Sequence, residues 1–395
     1  MQPSVNALDQ QLLEQLAATQ QEDLLRELRR IDSAQGPRIR FQGRELLNFS
    51  SNDYLGLANH PFVIEAAKRG INDYGAGSGA SRLVCGSLRV HHELEESLAR
   101  FKGTMAALTF SSGYATATGA LGALLDKDDV VIVDKLVHAS IVDGARLSGA
   151  KLRVFAHNDL NELQEILKWA DNRRTRRKII ATESVFSMDG DLAPLREIVE
   201  LKEHYGAWLM LDEAHATGLF GAQRRGLAEA FELDERVEIS MGTLGKALGS
   251  AGGFICGSRA LIDLLINRAR SFIFSTAPPP AQAAAANAAV ELVASDAGEQ
   301  LRSTLWARVD QLKNGLVGSA WPVPVVRSAI IPLRIGDERR AMEVAGKLCE
   351  AAIFVPAIRF PSVNRGEARL RLTVTAAHSA EDVSALIQHL TNLTI

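Results

Sequence analysis

The chain has 395 residues, of which 47% are apolar and 23% charged, and a net charge of −3. Such a chain is long enough for two domains with ample core, and its charge excludes general attraction to nucleic acid or an anionic membrane. Cys85, Cys256 and Cys349 are far apart and form no CxxC, which argues against a disulfide framework or zinc cluster and fits a reducing, cytoplasmic setting.

The N-terminus carries Asp9, Glu14, Glu22 and Asp23 and does not read as a signal peptide. No run reaches the ~18 apolar residues of a membrane span. Leu8, Leu12, Leu16, Leu24, Leu25 and Leu28 recur at helical spacing, so residues 6–30 are expected to form one or two amphipathic helices ended by Gly36-Pro37. Asn48 to Gly56 reads as a polar loop, and Gly75 to Arg82 as a glycine-rich one. His91 and His92 lack the HExxH spacing of a zinc helix and are taken as helix-surface residues.

Short apolar runs then alternate with helical segments: Ala106–Phe110, Val130–Val133, Leu152–Phe155, Ile179–Ala181, Trp208–Leu211 and Phe254–Cys256. Continuous apolarity means strands buried on both faces, hence an α/β fold with a mainly parallel sheet under covering helices. Chemistry in such sheets sits beyond the carboxyl ends of the strands. Ser111-Ser112-Gly113-Tyr114, His138, Ser187 and Asp212 all fall there. Arg173 to Lys178 is the one dense basic run and reads as a solvated connector. The stretch Ala281–Ala294 reads as a soluble helix.

Beyond about residue 290, strands show period two, as in Ala368–Val374, which suggests a smaller α+β domain. The expected organisation is an N-terminal helical segment (1–45), a large domain (46–290) and a small C-terminal domain (291–395).

The organising stretch is Ser240 to Gly249. It reads as a strand end after Val237-Glu238-Ile239, opening into a tight loop that carries Lys246 among glycines. A lysine in a dry pocket loses its proton more readily and attacks carbonyls. Upstream, an apolar strand delivers Asp212 into the interior, where a charge needs a partner. A protonated ring nitrogen is such a partner. A Schiff-base lysine with an aspartate for a pyridinium nitrogen is the pairing of pyridoxal phosphate chemistry. Gly113 and Tyr114 would open a helix suited to phosphate, and Thr243 would add a hydroxyl. His138 is a candidate to stack on the ring, and Ser187 and His215 to bond its 3-oxygen.

Asp212-Glu213-Ala214-His215 after an apolar strand also matches the Walker B pattern of nucleotide-driven helicases. That reading needs GxxxxGK[ST], and Gly245-Lys246 is followed by Ala247. No strand is followed by GxGxxG, which leaves a dinucleotide oxidoreductase without its fingerprint. A non-catalytic binding protein is the remaining alternative.

Several motifs in order resemble the α-oxoamine synthases, a branch of fold-type I pyridoxal phosphate enzymes, and within them the biotin-pathway branch. They are Asn48 to Leu57, Phe110 to Tyr114, Val137 to Ser140, Glu183 to Asp191, Asp212 to Gly218, Thr243 to Lys246 and Arg369 to Thr373. Glu213 and Leu244 depart from the residues common in the family without removing a reactive group. The resemblance implies that Lys246 binds the cofactor covalently and moves the Cα proton, that Asp212 pairs with the ring nitrogen and that His138 stacks on it. It implies Gly113, Tyr114 and Thr243 for the phosphate, with Ser275 and Thr276 reaching the phosphate of a neighbouring subunit in a homodimer. The alternative for Ser275-Thr276 is a helix N-cap. Arg26, Asn52, Ser362 and Arg371 would face the substrate. The implied reaction is decarboxylative condensation of L-alanine with a pimeloyl thioester on CoA or acyl carrier protein; relatives pair glycine or serine with other acyl thioesters. Arg369 is left as a solvated arginine.

Overall fold

The computed structural model describes residues 6–173, 175–321 and 328–393. The first helix, Ala7–Gln21, is capped by Asn6 and buries none of its residues. It stops short of the expected residue 30 because the chain turns at Asp23, which has φ 55°. Leu24, Leu25 and Leu28 therefore lie outside any helix. A hairpin follows, β1 (Arg38–Phe41) antiparallel to β2 (Arg44–Asn48).

Seven strands build the central sheet: β3 (Ala106–Phe110), β4 (Val130–Asp134), β5 (Lys151–Phe155), β6 (Lys178–Glu183), β7 (Trp208–Asp212), β8 (Ile239–Thr243) and β9 (Gly253–Gly257). Their spatial order is β3-β9-β8-β7-β6-β4-β5. All run parallel except β9, which is antiparallel to both β3 and β8. Val131, Ile132 and Val133, Ile179 to Ala181 and Leu209 to Leu211 are fully buried. Each large aliphatic side chain so placed contributes roughly 1.5–3 kcal/mol, which is why unbroken apolar runs occupy the centre. The strand expected to end at Ile239 instead begins there. Ser240 to Thr243 are sheet residues, and the loop opens only at Leu244.

The remaining strands are β10 (Ile330–Gly336), β11 (Ile353–Phe354), β12 (Ala357–Ile358) and β13 (Ala368–Thr373). β13 lies between β10 and β12, antiparallel to both, while β11 pairs in parallel with β2. The period-two pattern of β13 does not produce a wet face, because every residue from Ala368 to Thr373 is buried. Arg369, expected to be solvated, is 2% exposed and bonds Asp189 Oδ1 at 2.5 Å. His91, expected at the helix surface, is fully buried; its Nε2 meets the Pro278 carbonyl at 2.9 Å, while His92 stays exposed. The basic run is partly committed too, with Arg176 paired to Asp126 and Asp129 and Lys178 to Asp171. Residues Pro280–Ala294 form the expected helix. Among the described residues no helix is long and apolar enough to cross a membrane.

Candidate active site

Two apolar strands end in carboxylates. β6 ends at Glu183 and β7 at Asp212, and the two residues are register partners in a parallel ladder. Each apolar run holds its strand in the core, and each terminal carboxyl is carried into the interior with it. Asp212 is 6% exposed and accepts a hydrogen bond from Ala214 N–H at 2.9 Å. Burial pushes its carboxyl up, and Lys246 pulls it back. Glu183 is more deeply buried, and burial together with the charge of Asp212 pushes it up to about 8. Two neighbouring carboxylates do not both ionise cheaply, and the deeper burial of Glu183 favours its protonated form while Lys246 favours the charge on Asp212.

Lys246 lies three residues beyond β8. Its loop is tied to itself by Leu244 N–H to Gly252 O at 2.9 Å and Ser250 N–H to Leu244 O at 2.8 Å. Lys246 Nζ meets His215 Nε2 at 2.8 Å. Burial lowers the lysine to about 8, against the opposing pull of Asp212 and Glu183. Burial also drives His215 well below its usual value, with Lys246, Arg371 and His138 adding to the effect. The imidazole is therefore neutral. Its Nδ1 meets Tyr54 Oη at 2.6 Å.

Tyr54 is fully buried. Its hydroxyl also lies 3.3 Å from Asn52 Oδ1 and 3.4 Å from Arg371 Nη2. Arg371 donates from Nη1 to Asn52 Oδ1 at 3.0 Å and from Nε to the Ser187 carbonyl at 2.5 Å. Ser187 N–H donates to Glu183 Oε2 at 3.1 Å, and its hydroxyl has no hydrogen bond among the described residues. One hydrogen-bonded cluster thus joins Lys246, His215, Asn52, Arg371 and Ser187, with Glu183 and Tyr54 inside it. Glu183 and Tyr54 are functional neighbours that no motif in the sequence singles out. The signal for Glu183 was the one that flagged Asp212, a carboxylate ending an apolar strand. Tyr54 stood in a quoted loop two residues after Asn52, with nothing to show that it was buried.

His138 caps the helix Ala139–Ser148, its Nδ1 accepting from Ser140 N–H at 3.2 Å. Part of the residue is exposed, but burial of the ring lowers its imidazole, with Asp212 opposing that shift and Lys246 adding to it. Gly113 is the first residue of the helix Gly113–Leu124, which Ser112 caps. That helix start sits against the first residue of β9, Gly253. A Cβ on Gly253 would fall 2.4 Å from Thr116 Oγ1 and 2.9 Å from Gly113 Cα, so only glycine admits this approach. Thr243 lies beside Gly113, its hydroxyl donating to Gly252 O at 3.0 Å and accepting from Gly245 N–H at 3.2 Å. Tyr114 is half-exposed, its hydroxyl donating to Asp143 at 2.7 Å.

Among the described residues, no hydrogen bond ties Arg26, Ser362, Ser275 or Thr276 to Lys246 or its partners. Arg26 and Ser362 line a groove of about 740 Å³ with Arg29, Arg30 and Arg359, and Lys246 is not in its wall. Thr276 bridges Ser81, and Ala277 N–H bonds Ala80 O at 2.9 Å. Ser275 and Thr276 are not the cap of the following helix, since Pro279 holds that position with no side-chain bond.

Residues 44–390 match the family model described as aminotransferase class I and II. The chain belongs to this family. It is 48% identical over 375 residues to 8-amino-7-oxononanoate synthase from Geotalea daltonii, covering 95% of each chain. It is 43% identical to the enzyme of that name from Bacillus pumilus, covering 94% of each. Among solved structures, serine palmitoyltransferase from S. paucimobilis superposes with a TM-score of 0.91 at 27% identity over 98% of each chain. An 8-amino-7-oxononanoate synthase from Francisella tularensis gives 0.75 at 27% identity, covering 88% of this chain and 97% of that one. The architecture is that of fold-type I, and neighbours of two different names, a serine palmitoyltransferase and an 8-amino-7-oxononanoate synthase, share it. Similarity of fold alone therefore does not select a substrate, whereas identity near half the chain carries more weight.

The residues present fit pyridoxal 5'-phosphate. The buried carboxylate of Asp212, bonded by Ala214 N–H, suits a ring N–H. A helix N-terminus beside a threonine hydroxyl suits a phosphate. A lysine lowered to about 8 suits covalent capture of an aldehyde.

Proposed function

We propose that this chain condenses L-alanine with a pimeloyl thioester, carried on CoA or acyl carrier protein, and releases 8-amino-7-oxononanoate, carbon dioxide and the free thiol carrier in biotin biosynthesis. The observation that carries the reading is Lys246 Nζ, 2.8 Å from neutral His215 and under the charge of Asp212, in a chain so similar to enzymes of that name.

Pyridoxal 5'-phosphate, when bound, supplies an aldehyde for amine capture and a ring that accepts electrons from Cα. Lys246 anchors it, then as a free amine takes the Cα proton and later returns one. Asp212 holds a proton at the ring nitrogen. His138 would pack on the ring face, and the unengaged Ser187 hydroxyl would serve its 3-oxygen together with His215 Nε2, which that oxygen would share with Lys246 Nζ, 2.8 Å away. Gly113, Tyr114 and Thr243 hold the phosphate. Arg371 and Asn52 receive the alanine carboxylate, and the guanidinium fork suits that group. Arg26 and Ser362 serve the acyl thioester from their groove. The working form is a homodimer in which Ser275 and Thr276 reach the partner's phosphate. The exposed side chains of Leu83, Val84, Met105 and Phe274 support this face as a subunit contact.

Product analysis tests the reading. L-alanine, glycine and L-serine are each crossed with pimeloyl, acetyl, succinyl and palmitoyl thioesters. The expected result is 8-amino-7-oxononanoate from the alanine and pimeloyl pair. A faster reaction of glycine with acetyl-CoA, or of serine with the palmitoyl thioester, would overturn it in favour of a sister activity.

A further inference from the structure

The contacts of Lys246 extend beyond His215. A row of four groups runs from the lysine to the substrate side of the pocket: Lys246 Nζ, His215 Nε2 and Nδ1, Tyr54 Oη and Asn52 Oδ1, at successive separations of 2.8, 2.6 and 3.3 Å. His215 and Tyr54 are buried, so water does not substitute for either.

A neutral imidazole has one N–H and one lone pair, so the row has two self-consistent arrangements. In the first, Lys246 is an ammonium that donates to His215 Nε2, His215 Nδ1–H donates to Tyr54, and the Tyr54 hydroxyl donates to Asn52 Oδ1. In the second, Tyr54 donates to His215 Nδ1, and His215 Nε2–H donates to the lone pair of a neutral Lys246. Passing from the first to the second moves one proton a single place at each step. It goes from Nζ to Nε2, from Nδ1 to the tyrosine oxygen, and from that oxygen to a water at the Asn52 side. Arg371 Nη2, 3.4 Å from the tyrosine oxygen, opposes extra positive charge there and favours release.

We propose that Tyr54 is a positioning residue for the reaction: its hydroxyl selects the His215 tautomer that leaves Lys246 as a free amine. This rests on the reading of Lys246 as the base at Cα, but not on which amino acid is the substrate. The charged and titratable groups around the row are Asp212, Glu183 and Arg371 about Lys246, Lys246, Arg371 and His138 about His215, and Arg371 and Glu183 about Tyr54. They are common to wild type and to variants at position 54, so a difference between these proteins reports the hydroxyl.

The test uses the holoenzyme with the amino acid that the product panel identifies. Borohydride reduction and peptide mapping come first; a label anywhere but Lys246 overturns the base assignment before Tyr54 is touched. Wild type, Tyr54→Phe and a protein with 3-fluorotyrosine at position 54 are then compared. The acidic limb of the kcat profile should move to higher pH in Tyr54→Phe, which lacks the donor to Nδ1. It should move to lower pH with fluorotyrosine, whose hydroxyl donates more strongly. The ring ¹⁵N signals of His215, assigned with a His215→Asn control, should switch from the Nδ1–H to the Nε2–H form as pH rises in wild type. They should not switch in Tyr54→Phe. If Tyr54→Phe does not fold, the fluorotyrosine shift and the wild-type ¹⁵N switch decide alone. An unmoved limb with fluorotyrosine, or a single His215 tautomer across the titration in wild type, would overturn the proposal.

Discussion

Glu183 and Asp212 are paired across the β6–β7 ladder with both carboxyls buried, one tied to Ser187 N–H and the other to Ala214 N–H. Burial raises both carboxyls, and the charge of Asp212 raises Glu183 further. The folded chain holds the Glu183 carboxyl at about 8, above its value of 4.5 in an unfolded chain. Its contribution to stability is therefore greatest below 4.5 and falls as pH rises through about 8, because the unfolded state ionises first. Glu183→Gln keeps the shape and removes the titration. Its unfolding midpoint should gain on wild type across that window. A gap between the two proteins that stays constant with pH would assign the proton elsewhere.

Asp212→Asn should retain the visible absorbance of the lysine-bound cofactor and lose proton removal from Cα. The loss expected is on the order of 10²-fold or more, the scale of a misplaced general acid or base. Exchange of the alanine α-hydrogen with deuterated solvent, followed without an acyl donor, isolates that step. Near-normal exchange would be evidence against a role at the ring nitrogen.

Arg371 holds Asn52, the Ser187 carbonyl and the Tyr54 hydroxyl from one guanidinium. Losing two charge-assisted hydrogen bonds to a carboxylate costs roughly 3–5 kcal/mol, on the order of 10²–10³ in affinity. Arg371→Ala should thus weaken L-alanine binding by that factor while the cofactor remains attached. Lysine should restore only part, since a point charge cannot reproduce the fork. Titration of alanine against the cofactor band gives the dissociation constant.

Gly253→Ala should act on the phosphate end of the site. The added Cβ meets Thr116 Oγ1 and Gly113 Cα and displaces the helix start. Equilibrium dialysis should show weaker retention of pyridoxal phosphate but little change for pyridoxal, which lacks the phosphate. Equal losses for both would place the damage elsewhere.

Subunit sharing is tested by complementation. Lys246→Ala and the double variant Ser275→Ala/Thr276→Ala are each expected to be impaired. Mixed after dissociation and reassociation, they should recover activity in heterodimers that contain one intact site. No recovery, with exchange verified by mass tags, would argue for self-contained sites.

The central sheet was legible because most of its strands are buried on both faces, and six apolar runs announce six of the seven; the exception in burial is the edge strand β5, where only Phe155 is buried. Asp212 was legible for the same reason, as a charge at the end of such a run. What escaped depended on tertiary context. Arg369 looked solvated because alternation normally means one wet face, but Asp189, nearly two hundred residues away in sequence, covers it. His91 has no local sign of burial, because the Pro278 carbonyl that receives it lies far along the chain. The leucine periodicity of residues 6–30 was genuine only to Gln21; a left-handed residue at Asp23 breaks it, and such a turn has no apolar signature. Tyr54 was invisible as a hub because its partners come from three separate segments.

The Lys246 loop has a further consequence. It joins β8 to the one reversed strand of the sheet, and its two ends are hydrogen-bonded to each other across the β8–β9 ladder. The backbone beneath the lysine is therefore clamped at both ends, and the travel of Nζ is confined to its own side-chain torsions. For redesign, the segment behaves as a gauge of fixed length. Adding one residue between Leu244 and Gly252 would either unzip β8 from β9 or carry the amine away from His215, so the spacing here governs chemistry as firmly as the identity of the lysine.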